Sequence, residues 1–176
     1  MKNSLWTLAA ATVLSAGVLA QAPAAPSKLV AAQDAARSNT EFQARHYLAT
    51  AAIAKAVGAP LGPLTDAGGN ALTANQAAAH LAAEAGQQGS YREVSPDKAQ
   101  ELANQGTLVI VAWSNPSGFG HLATVRAEGI SGDQVHAASR EPIINNVGVD
   151  VGIEGVNWVF RKDATLHYYT PSGPAE

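Results

Sequence analysis

Gly106-Thr107-Leu108-Val109-Ile110-Val111-Ala112-Trp113 divides the chain into two halves of different character. From Leu108 to Trp113 the run is continuously apolar, too short for a helix and rich in β-branched side chains, so it predicts a strand buried on both faces. Asn115-Pro116-Ser117-Gly118 is turn chemistry. Past Phe119-Gly120 a second strand is expected over 122–126, then strands over 134–137, 143–147 and 165–169, with 157–160 ambiguous. Upstream the signals are helical. Ser38-Asn39-Thr40 offers N-caps, and Phe42, Tyr47, Leu48, Ile53 and Val57 recur within alanine until Gly58 and Pro60 end the run. That predicts one helix over 39–57. Thr73 caps a second over 74–85, and Ser95-Pro96-Asp97 opens a third to about 104. Helices first and strands afterwards predict an α+β domain, its N-terminal helices packed on a mainly antiparallel sheet.

The first twenty residues carry a different signal. Lys2 precedes an apolar run to Ala20, and Val18-Leu19-Ala20 places small residues at the cleavage positions, so 1–20 reads as a signal peptide removed before Gln21. The run is short for a membrane span, and no basic flank follows it. Export to the periplasm or the extracellular space is expected, without stable membrane insertion after cleavage. Residues 21–38, rich in Ala and Pro, are expected to be a loose leader with a short helix at 29–36. The domain then spans 39–170 and leaves a tail at 171–176.

Composition narrows the function classes. The 176 residues carry a net charge of −3 and no Lys/Arg cluster, which argues against a phosphate-neutralising nucleic-acid surface. Thirty-seven alanines against thirty-four Val, Ile and Leu make much of the apolar content helix-favouring filler. There is no cysteine, so disulfides, thiolate metal sites and thiol nucleophiles are all excluded.

The window from Trp113 to Val125 holds the most chemistry: two glycines, then His121 opening a strand where its ring can face a cleft and titrate usefully. Together with Ala44-Arg45-His46-Tyr47-Leu48 and Gly106–Ala112, the segment Gly118-Phe119-Gly120-His121-Leu122-Ala123-Thr124-Val125 resembles the papain-like cell-wall peptidases and amidases of the NlpC-type and CHAP-like groups. The resemblance covers roughly 39–170 and implies a papain-like fold and a peptidoglycan or wall-derived peptide as partner. It places a nucleophilic cysteine three residues before the Tyr47-Leu48 pair, at a position here filled by Ala44. His121 falls at the base position, and Asn145 or Asn146, with Asp150 a weaker candidate, at the orienting position. Strand alternation lets only one of the two asparagines face His121. Trp113, Tyr47, Ser117, Gly118 and Gly120 are the expected ligand-binding residues.

A methyl group cannot attack a carbonyl. The resemblance therefore implies a domain that keeps the cleft, binds wall peptide and lacks cysteine catalysis. The alternatives are a peptidoglycan hydrolase, as a Cys-to-Ala form or with another nucleophile, and an exported structural or partner-binding protein. The five histidines form no His-x-x-x-His or His-Glu-x-x-His pattern, and the acidic residues show no paired arrangement. No metal or cofactor is expected.

Overall fold

The computed structural model describes residues 27–128, 142–148 and 151–173. Among the described residues, six helices and six strands follow one another in a more mixed order than helices first and strands second. They are α1 (Lys28–Arg37), α2 (Thr40–Ala44), α3 (His46–Val57), α4 (Ala74–Gly86), β1 (Tyr91–Val94), α5 (Pro96–Asn104), β2 (Ile110–Trp113), β3 (His121–Val125), β4 (Ile143–Asn146), β5 (Gly152–Gly155), α6 (Val156–Val159) and β6 (His167–Pro171). The strands form one antiparallel sheet in the order β1-β6-β2-β3-β4-β5. The chain is thus α+β with an antiparallel sheet.

Alternation along β2 explains the two cores. Ile110 and Ala112 point to a layer made by α1, α3 and α4, where Leu29, Ile53, Leu64, Leu81 and Leu122 pack. Val109 and Val111 point the other way, against Leu102 of α5, Val156 of α6 and Phe160. Both faces of this central strand are buried, as its unbroken apolar run requires.

Several element ends follow local chemistry. Gly58 adopts the left-handed conformation (φ 80°) that closes α3. Thr73 and Gln76 form a reciprocal capping box on α4, and Ser95 caps α5 with Pro96 in its first turn.

The structure corrects or sharpens several expectations. The helix expected over 39–57 is broken at Arg45, whose backbone leaves the helical region (φ −142°, ψ 70°), so α3 begins at His46. The short helix expected at 29–36 is α1, and it packs on the domain instead of belonging to a loose leader. Leu29 and Val30 are buried there, and fully buried Gln33 donates to Thr124 Oγ1 and to the Val125 carbonyl, both at 2.9 Å. Asp34 on the same helix pairs at 3.0 Å with Arg126, a guanidinium with no solvent exposure. Burial of these polar side chains is offset by the contacts between α1 and the sheet side: β3 accepts from Gln33, and Asp34 of α1 pairs with Arg126. The ambiguous segment at 157–160 lies mostly in the one-turn helix α6. Strand β1 and strand β5 were not expected; both are four residues long and sit at the sheet edges. The strand expected over 134–137 and Asp150 lie outside the described residues.

Candidate functional site

The site forms where the N-terminus of α3 meets the rim of the sheet. Trp113, the last residue of β2, stands opposite His121, the first of β3. Between them the turn folds back tightly, and Gly120 has no room for a side chain. A Cβ there would lie 2.6 Å from the Trp113 carbonyl and against Asn75 Oδ1. Asn75, from the first turn of α4, holds this turn. It accepts from the Asn115 N–H at 2.8 Å and donates to the carbonyls of Asn115 (3.0 Å) and Gly118 (2.9 Å). Ser117 and Gly118 are exposed within the turn, where the Ser117 N–H donates to Asn115 Oδ1. Sequence reasoning missed Asn75, because its three partners lie some forty residues away.

Of the two candidate asparagines, Asn146 meets His121: its Oδ1 is 2.8 Å from Nε2. The carboxamide oxygen can only accept, so Nε2 carries the proton and Nδ1 keeps the lone pair. Asn145 projects from the opposite sheet face, beneath α3 with Thr50, Ile53 and Thr124. It is buried, and its amide has no hydrogen-bond partner among the described residues.

The other ring at the site belongs to His46, which opens α3. Its centroid lies 4.4 Å from that of His121, with the planes tilted by 45°. Tyr47 sets its ring edge-on to His46 at 5.9 Å and packs into the helix-side core. Phe160 closes the other side of His121 at 5.2 Å, edge-on. Gly148 lies against the pair: a Cβ there would meet His121 Cε1 at 3.5 Å and His46 Cβ at 3.8 Å, ordinary van der Waals contact. Ala44 is the exposed last residue of α2, two residues before His46. It therefore sits just outside the helix whose N-terminus faces the site.

Electrostatics keep both imidazoles neutral. Burial, and next the neighbouring His46, push the His121 pKa down to about 4, opposed by the Asn146 hydrogen bond. Burial likewise lowers His46, against an opposing hydrogen bond to the Gly120 backbone. At neutral pH the site presents two uncharged rings.

These rings border an open cleft of about 300 Å³, lined also by Trp113, Gly120, Asn146 and Glu154. Phe119 and Trp158 stand at its rim, 92% and 74% exposed. Aromatic rings held in water beside a polar floor are suited to stacking on a ligand. No group of three or more His, Asp or Glu able to hold a metal occurs among the described residues, and no helix there is long and apolar enough to cross a membrane. The expected ligand-binding residues Trp113 and Gly120 line the cleft, whereas Tyr47 supports it from behind. Compared with protein-family models and with curated proteins, the chain matches none.

Proposed function

We propose that this chain is an exported domain of papain-like type that binds a peptidoglycan-derived peptide in the His121 cleft and performs no cysteine catalysis. The observation that carries this reading is the His121–Asn146 bond of 2.8 Å at the floor of a cleft rimmed by exposed Phe119 and Trp158. A strand imidazole backed by a carboxamide, facing a helix N-terminus, is the base-and-orienter half of a nucleophilic site. The nucleophile half has no counterpart: the chain has no cysteine, and Ala44, where the resemblance would put it, carries only a methyl group and lies outside the helix that faces His121. What remains is a shaped pocket with two neutral imidazoles, aromatic walls and the charged side chains of Glu154 and Arg161 in its lining. Such a pocket favours recognition of peptide amides and apolar stems over attack on them.

Co-sedimentation with insoluble peptidoglycan, combined with zymography on the same walls, tests the proposal. The protein is expected to pellet with the walls, and Trp158→Ala with Phe119→Ala to reduce the bound fraction severalfold, with no clearing of the walls. Clearing would identify an active hydrolase. A protein left in the supernatant would remove wall binding altogether.

A further inference from the structure

A second cavity, about 520 Å³, opens between α4 and the sheet and shares no lining residue with the His121 cleft. It lies over β1, β6 and β2, where the strand register brings together side chains far apart in sequence. Glu93 on β1 stands opposite Tyr169 on β6, His167 on β6 stands opposite Ala112 on β2, and Ser114 follows β2 directly. Alternation places Glu93, His167 and Ser114 on one face, the face that α4 covers. All three line the cavity.

The histidine is held as a general base requires. Glu93 Oε1 is 2.7 Å from His167 Nδ1, and the imidazole lies over Tyr169 with centroids 6.2 Å apart and planes within 17°. A carboxylate at Nδ1 fixes the ring and its tautomer and leaves Nε2 free to take a proton. Ser114 Oγ makes only a long contact, 3.5 Å to Asn75 Oδ1, which a side-chain rotation gives up at small cost.

We propose that this cavity is an acyl-transfer site for small uncharged esters, with Ser114 as nucleophile, His167 as base and Glu93 as the residue positioning that base. Ser114 Oγ bonds to the acyl carbon as its proton passes to His167 Nε2, and the carbonyl electron pair moves onto oxygen. Return of that pair expels the alkoxide, which takes the proton from His167 and leaves as an alcohol. Water, deprotonated by the same nitrogen, then releases the acid and restores the serine hydroxyl. The methyl groups of Ala78, Ala82 and Ala85 on α4 form the opposite wall. They suit a short apolar acyl chain.

The inference is independent of wall binding and has its own test. The protein is treated with a fluorophosphonate and the adduct located by peptide mass spectrometry, with a short-chain nitrophenyl ester assayed alongside. The adduct is expected on Ser114 and absent in Ser114→Ala. His167→Ala should slow labelling by about a hundredfold, within the usual range for loss of a general base. Glu93→Gln, which keeps the shape and loses the charge, should slow it by about tenfold or more. The labelling rate should also follow a single ionisation that disappears in His167→Ala. No adduct on Ser114, or one forming at the same rate without His167, would overturn the proposal.

Discussion

His121 is gripped at one nitrogen and pressed on both sides, and its titration reports each contact separately. Asn146 favours the charged ring, whereas burial and His46 disfavour it. In a proton NMR titration the ring should ionise near pH 4. Asn146→Ala should lower that value further, His46→Ala should raise it, and Asn145→Ala should leave it in place. A value near that of a free histidine, unmoved by any of the three, would mean that the ring is solvated and uncoupled. Part of this site was legible in the residues. The glycine pair before a strand-opening histidine marks a tight turn at a sheet rim, and alternation allows only one of two adjacent asparagines to face it. Which of the two depends on the β3–β4 register, Thr124 opposite Asn145, and no local signal encodes that. The role of His46 was hidden for a related reason. Within a continuous helix it is one polar residue among alanines, and only the break at Arg45 turns it to the rim.

At the scale of elements, α1 and the α2–α3 break carry the corrections. The helix at 29–36 was legible, but its docking on the domain was not, because an alanine-rich helix gives little apolar periodicity to read. Its attachment rests on a few larger side chains. Leu29 is 1% exposed within the helix-side core. Leu29→Ala should therefore cost about 2–5 kcal/mol, the usual range for a buried leucine, seen as a lower denaturation midpoint. A change under about 0.5 kcal/mol, typical of surface sites, would mean that α1 is not docked. The break makes a second test. Ala44 ends α2 instead of opening α3, so the field of the α3 N-terminus, which fades within its first turn, acts on it only from outside. Ala44→Cys should alkylate at about the rate of an ordinary exposed thiol, whether or not His121 is present. Fast alkylation that His121→Ala abolishes would show that position 44 is coupled to the base after all.

For the whole molecule, the α+β class followed from the change in pattern at Gly106, but the strand order did not. The last strand, β6, inserts between β1 and β2, so its neighbours come from distant sequence and are selected by core packing alone. That insertion puts Glu93, His167 and Ser114 over one cavity. The two histidines of the cleft link the fold to pH. Both have folded pKa values below the ordinary 6.5, so between that value and about 4 the unfolded chain binds more protons than the native one. Stability from these groups is complete above pH 6.5 and is lost as pH falls toward about 4. Thermal melts over this window should show a falling midpoint, and His121→Gln should flatten the dependence. An unchanged slope in that variant would assign the effect to other groups.

An NMR titration of the isotope-labelled protein with soluble stem-peptide fragments shows whether the His121 cleft holds a wall peptide. Saturable shifts are expected at the amides of residues 118–121 and 146–148 and at the Trp158 indole, with Trp158→Ala weakening the apparent affinity severalfold. Those positions surround the cleft from three elements, so only a ligand seated within it would move them together. Fragments that shift nothing at millimolar concentration, or only residues outside the cleft, would contradict the account.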